Sequence, residues 1–280
     1  MRRQWSALVG RLVGVQGFKS EKAAFPWYYK AACGNDPWGL SSLGYAYVQG
    51  EGVTEDKPQG IDLIRQAAEA DEPWALENYG GRLIKGNGVQ QDGAQGLVML
   101  ERAAEAGVVS AQASLAWYLA SDVYGIPVND QKSNRYQKLA AEKGNASSQG
   151  NLGQALVGGW NGYSKDYVGG AYWSRRAAYH GTAWGVFKMA DLYRIGAGVA
   201  KNAERAKTLY LKAAEKFQKQ ADGGRVISYH WLGLMHEKGY GFDANRDKAI
   251  EFYLTAARKK HPFSIKKLKR LGVPVPEPEE

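Results

Sequence analysis

The chain has 280 residues, 44% of them hydrophobic, enough apolar surface to bury a substantial core and to exclude wholesale disorder. Its net charge of +9 is concentrated: residues 201–271 hold 17 Lys and Arg against 7 Asp and Glu, a net of +10. A single cysteine, Cys33, excludes an intrachain disulfide, and no apolar run approaches the ~20 residues that span a bilayer.

At the N-terminus, Met1-Arg2-Arg3 followed by Trp5–Val9 has the outline of a signal peptide, but Arg11 interrupts the apolar stretch and no small-x-small site follows closely. Localisation therefore stays open between the cytoplasm and, for a removed or atypical signal, the periplasm. Residues 4–18 are expected to supply a degenerate helix, and residues 25–33 (FPWYYKAAC) the second helix of an incomplete unit. Residues 1–35 thus read as an N-terminal segment and half repeat. Cys33 reads as a small packing residue, with no His, Lys or Arg directly beside it to lower its pKa.

From Ala31 onward a period governs the chain. A large apolar residue followed by a small one recurs at Leu43-Gly44, Tyr79-Gly80, Leu115-Ala116, Leu152-Gly153, Met189-Ala190 and Leu232-Gly233, at offsets of 36, 36, 37, 37 and 43. An Ala-Ala pair recurs at Ala31, Ala67, Ala103, Ala140, Ala177, Ala213 and Ala256, at offsets of 36, 36, 37, 37, 36 and 43. Two independent markers keep one period. In each unit a first helix, such as Trp74–Lys85, ends at a Gly-x-Gly-Val turn, because glycine takes the left-handed conformation at helix C-termini. A polar turn and a second helix ending near Ala-Ala follow. One such pair cannot bury its own apolar face and must stack on its neighbours.

Later units depart from the pattern. Repeat three has Asp122 where the terminating glycine belongs, and repeat four reads Gly158-Gly159-Trp160-Asn161-Gly162-Tyr163, either a binding loop or a turn that lost its consensus. In repeat five, Ala213 to Leu232 is 19 residues against 12 elsewhere, so its second helix should run on through 215–225 until Gly223-Gly224 break it. Phe263–Leu271 (FSIKKLKRL) reads as a basic amphipathic helix capping the last repeat. The organisation is therefore six repeats over 36–262, a capping helix over 263–271 and a disordered, acidic, Pro-rich tail over 272–280.

The Leu-Gly, Gly-x-Gly-Val and Ala-Ala spacing resembles the Sel-1-like repeat, a relative of the tetratricopeptide repeat, from about Ala24 to Pro262. The turn is intact at Gly50-x-Gly52-Val53, Gly86-x-Gly88-Val89 and Gly196-x-Gly198-Val199, and Gly239-x-Gly241-Phe242 is close to it. The resemblance implies an all-α fold, a right-handed α-solenoid of antiparallel helix pairs, serving as a protein-binding adaptor. By analogy with tetratricopeptide repeats, first helices line a concave groove, which selects residues five before, two before, two after and five after the marker. The protein-binding candidates are then Trp38, Trp74 and Trp184; Phe187 and His230; Tyr45, Trp117 and Asp191; and Arg194 and Glu237. Large aromatics along a groove suit a protein partner, and the alternative for each is packing between repeats.

No catalytic constellation is expected. His230 and His236 are six apart and do not share a helix face as metal ligands four apart do, and the glycine turns follow helices instead of strands. The reading is of a non-catalytic protein without metal or cofactor, monomeric on its own, with a protein partner of acidic surface to match its basic end. Specific nucleic-acid binding is not expected, since no recognised motif accompanies the charge. The family resemblance extends this to a bacterial adaptor or an immunity protein neutralising a secreted effector such as a phospholipase. A general assembly scaffold and, remotely, a hydrolase are the alternatives.

Overall fold

A computed structural model describes residues 21–121 and 124–278, with the side chains of 21–23 left aside. The degenerate helix expected over 4–18 and the Asp122 position lie outside the described residues. The chain divides into two compact units, Met1–Lys143 and Gly144–Glu280. Every regular element among the described residues is a helix.

The first unit contains α1 (Glu21–Cys33), α2 (Pro37–Gln49), α3 (Lys57–Glu69), α4 (Pro73–Lys85), α5 (Gly93–Glu105), α6 (Val109–Leu119) and α7 (Asp130–Glu142). Consecutive helices pack on one another, and α2 also touches α4 past the intervening α3. The second unit contains α8 (Ala146–Gly158), α9 (Tyr167–Tyr179), α10 (Ala183–Ile195), α11 (Ala203–Asp222), α12 (Val226–Lys238), α13 (Arg246–Arg258) and α14 (Pro262–Arg270), packed in the same sequence, with α8 touching α10. Within each unit the helix pairs stack as an α-solenoid.

Local chemistry sets the boundaries. A side chain at the N-cap accepts a hydrogen bond from the backbone N–H three residues on, as Asp36 does from Gly39, Asp92 from Gln95 and Asn202 from Arg205. Proline takes the first helical position at Pro37 and Pro73, where its missing N–H costs nothing. At the far end, Gly86 adopts φ +69° and donates its N–H to the Arg82 carbonyl, closing α4. The seven extra residues of repeat five extend α11 to 20 residues, ending where Gly223 caps it. The capping helix is present as α14, its Leu268 fully buried against α13, and residues 273–278 carry no regular secondary structure.

The marker residues lie where the helices approach most closely. A Cβ added to Gly44 would sit 2.6 Å from the Gly60 carbonyl oxygen, and one added to Gly60 would sit 2.5 Å from the Gly44 carbonyl oxygen. The α2 and α3 backbones therefore touch, leaving Leu43, Ile61 and Ile64 to fill the flanking space. Ala67, Ala103, Ala140, Ala177, Ala213 and Ala256 are all fully buried. Cys33 is a correction to the sequence reading: it is exposed at the end of α1 instead of packed.

Candidate functional site

In the first unit, α2, α4 and α6 form an open groove of two adjoining cavities of about 450 and 500 Å³, which share Trp74 and Asn78. Trp38, Ser41 and Tyr45 line one cavity, and Glu77, Ser110 and Ser114 the other. These are positions five before, two before or two after the marker, or neighbours of them, so three of the four expected columns face one surface. Trp74 is 66% exposed, Tyr45 is exposed, and Trp38 is half-buried with its ring edge-on to Tyr28 at 5.8 Å. Trp117, also exposed, is held edge-on to Tyr118 at 4.9 Å.

Polar groups in the groove are partly prearranged. Ser110 donates to Glu77 at 2.7 Å, and burial raises the Glu77 pKa against that bond. Arg82 donates its Nε–H to Asn78 at 2.8 Å, and burial lowers its pKa. The candidate set omitted Asn78, Arg82 and Tyr28. Asn78 and Arg82 fall between the selected columns, and Tyr28 belongs to the half repeat, so a rule based on marker spacing passes over all three.

The fourth column does not join the groove. At about 100° per residue, five past the marker is roughly 140° from it, toward the partner helix of the same pair. Val48 and Ile84 are accordingly buried, meeting the second helix beside Gly60 and Gly96. Arg194 and Glu237 occupy the same position in the second unit and likewise face their second helices. Tyr210 of α11 donates its hydroxyl to Asp191 at 2.6 Å, and Arg194 bonds both Asp191, at 2.8 Å, and the Tyr210 oxygen, at 3.0 Å. Burial and the Asp191 carboxylate raise the Tyr210 pKa. Tyr253 of α13 donates to Glu237 at 2.9 Å, and Lys267 of α14 pairs with the same carboxylate at 2.9 Å. Burial would raise the Glu237 pKa, but these two partners hold it below the usual range.

Phe187 is a second correction. It is 2% exposed and lies among the rings of Trp184, Tyr210, Phe217, Trp231 and Tyr240, so it is core. Trp184 stacks on it at 5.8 Å and is half-buried, with the Lys188 ammonium 4.3 Å from its ring centre. The bulk of Phe217 and Trp231, supplied by the lengthened α11 and by α12, closes over the position that stays open in the first unit.

His230 does not face a groove either. Its Nδ1 lies 3.0 Å from the fully buried Ser264 hydroxyl, which is also 3.0 Å from His261 Nδ1. His261 Nδ1 accepts from the Ser264 N–H as the N-cap of α14, so it carries no proton. The Ser264 hydroxyl then donates to His261, and His230 donates to the Ser264 oxygen. The arrangement needs a neutral His261, whose Nδ1 is an acceptor, while burial disfavours charge on His230. Burial, with His261 and Lys267 nearby, pushes the His230 pKa down to about 4, against partial support from Glu237.

A pH dependence follows. The unfolded chain takes up the His230 proton near 6.5, whereas the folded chain holds it off until about 4. Stability is therefore full above 6.5 and falls as pH drops through that window, by roughly 2 kcal/mol once partial exposure is discounted. Chemical denaturation at pH 7.5 and pH 4.5 should show this loss, and His230→Gln should reduce it. His236 instead stacks between Phe242, at 4.1 Å, and Phe252, at 5.5 Å. Among the described residues no group of three or more His, Cys, Asp or Glu could hold a metal ion, and no helix is long and apolar enough to cross a membrane.

The irregular turn of repeat four is ordered by its own backbone. Gly159 caps α8 at φ +68°, and the Tyr163 N–H donates to the Trp160 carbonyl at 3.0 Å. Trp160 folds back over Gly158 and remains exposed.

Comparison with known proteins places these observations in a family. The Sel1 repeat profile matches seven segments, 7–36, 39–72, 75–108, 109–145, 146–182, 185–216 and 226–261. It assigns a full repeat to 7–36, where the residue pattern gave a half unit with a degenerate helix. Over 107 residues the chain is 31% identical to cytochrome c oxidase assembly factor 7A of Xenopus laevis and 32% identical to assembly factor 7 of Xenopus tropicalis, covering 36% of this chain in each case. The match spans 46% of each relative, about half its length. Among solved structures, a Sel1 repeat protein from Oxalobacter formigenes superposes with a TM-score of 0.70 at 21% identity, covering 90% of this chain and 96% of that one. The protein c5321, a protective antigen of uropathogenic Escherichia coli with an SLR fold, gives 0.64 at 26% identity, covering 97% and 64%.

Proposed function

Because the chain belongs to the Sel1 repeat family, a family of protein-interaction folds, we propose that it is a non-catalytic module that holds a protein partner in the groove of its first unit. One observation supports the reading: exposed Trp74 and Tyr45, with half-buried Trp38 beside them, line adjoining open cavities. Tryptophan and tyrosine held rigidly at low entropic cost are the side chains that most often dominate binding energy. The serines, Asn78 and Arg82 around them supply hydrogen bonds to fix a partner's register.

In its finer form the proposal is of a bacterial adaptor or immunity protein that neutralises a secreted effector, a phospholipase being the class to try first. The preformed groove supports a single tight partner. The test is a titration of purified protein against any secreted effector found encoded beside it, a phospholipase first. A one-to-one complex that abolishes effector activity is the expected result, and failure to bind or to inhibit would sink the idea. A scaffold role is the second reading, favoured by the assembly factors among its partial relatives. That role predicts several partners of moderate affinity.

Trp74→Ala should weaken the groove partner by about tenfold to thirtyfold, roughly 2 kcal/mol, while leaving the melting temperature within 2–3 °C of about the wild-type value. Isothermal titration beside a thermal melt checks both halves.

A further inference from the structure

The second helices of the repeats offer an internal control, because the Ala-Ala marker aligns their outward positions. Nine and five before the marker, two before it and two after it lie on one line along each helix. In α3 these are Pro58, Asp62, Arg65 and Glu69; in α5 they are Ala94, Val98, Glu101 and Glu105. In α7 they are Gln131, Arg135, Lys138 and Glu142; in α11, Glu204, Thr208, Leu211 and Glu215; in α13, Asp247, Glu251, Leu254 and Arg258. Each of these five lines carries at least one carboxylate, as a solvated outer face should.

In α9 the same line is Val168, Tyr172, Arg175 and Tyr179, and the helix has no acidic residue at all. Val168 is 72% exposed and Tyr179 is 89% exposed, where four of the other five helices have glutamate at the Tyr179 position. Tyr172 is exposed too, yet it is held in place. Arg176 donates to its hydroxyl at 2.9 Å and lies over both its ring and that of Trp173, at 5.8 and 5.7 Å. Arg175 is exposed and has neither an ion pair nor a hydrogen bond among the described residues. Exchanging carboxylates for tyrosines on one helix alone brings no packing benefit, since these rings face water.

We propose that this face of α9 is a second docking surface, used by a protein partner that presents carboxylates around an apolar contact. Its composition is that of an interface centre: tyrosines with an arginine fixed beside them, rimmed by unpaired positive charge. A second copy of the chain fits poorly. A two-fold contact would set Arg175 and Arg176 against their own equivalents, with no carboxylate on the helix to receive them. An acidic partner satisfies the arginines and covers Val168 and Tyr179 together. This surface is independent of the groove in the first unit and stands or falls separately from it.

The experiment is site-specific photocrosslinking of the full chain in its native cells, with p-benzoylphenylalanine in place of Tyr179 and, as control, in place of Glu142 at the equivalent position of α7. The expected result is a discrete adduct with one other protein from position 179 alone, joined through a peptide of net negative charge. That purified partner should then bind Arg175→Glu/Tyr179→Glu at least tenfold more weakly than wild type, with an unchanged melting temperature, and lose affinity as salt is raised. An adduct with a second copy, an adduct with lipid, no adduct beyond the Glu142 control, or an affinity indifferent to the double variant would each overturn the proposal.

Discussion

Phe187→Ala is expected to lower the unfolding free energy of the second unit by about 3–5 kcal/mol, as measured by urea denaturation followed through circular dichroism. The ring is almost wholly removed from water and is the hub of a cluster in which Trp184, Tyr210, Phe217, Trp231 and Tyr240 all approach within 6.3 Å between centroids. Its removal forfeits the transfer energy of the ring and leaves a cavity, since four large neighbours on three helices and Tyr240 in the turn after α12 cannot all collapse inward. The size of the effect decides between two assignments. A residue lining an open groove loses partner affinity when truncated but changes stability by only ~0.5 kcal/mol. A loss of several kcal/mol is the result expected of a core residue.

Gly44→Val should cost the first unit about 3 kcal/mol, the upper part of the range for overpacked sites. The new Cβ would meet the Gly60 carbonyl oxygen at 2.6 Å and Ile64 Cγ1 at 2.8 Å, and the first of these is backbone, which no rotamer change can move. Helices α2 and α3 would have to separate, uncovering Ile61 and Ile64 along the seam. Gly81→Ala is the informative comparison. Gly81 sits inside α4, and a Cβ there meets nothing within 4 Å. That substitution should stabilise by up to about 1 kcal/mol, the helix-propensity difference between the two residues. Opposite signs from two first-helix glycines, read in one denaturation series, separate close approach from conformational preference.

Much of the architecture was legible in the sequence because repetition multiplies weak signals. The Ala-Ala and Leu-Gly pairs each recur where helix backbones must touch, and only small residues permit that contact. The seven-residue excess in repeat five correctly gave a longer α11. The groove was legible only in part. Positions five before, two before and two after the marker fall beside the first-unit cavities, where Tyr45 and Trp74 are exposed and Trp38 is half-buried. The same rule selected Phe187, because periodicity fixes a direction on a helix but not what lies opposite it. In the second unit, α11 and α12 contribute Phe217 and Trp231 on the same side, and the face closes. Asp191, Arg194, His230 and Glu237 showed a related limit: their partners Tyr210, Ser264 and Lys267 lie 16 to 34 residues away, beyond any local spacing rule.

The α14 helix also decides whether the array stays finite. Ala249, Tyr253 and Ala257 on α13 are covered by Leu268, while Lys266, Lys269 and Arg270 are turned outward to water. A chain ended at residue 261 would present that covered face as a vacant seat of the kind each repeat offers the next. A neighbouring molecule's helix pair could occupy it, and a head-to-tail contact of this sort has no symmetry that brings it to a close. The nine residues of α14 thus act as a chain terminator in the polymer chemist's sense. The histidine–serine contact at 3.0 Å fastens that terminator to the repeat before it.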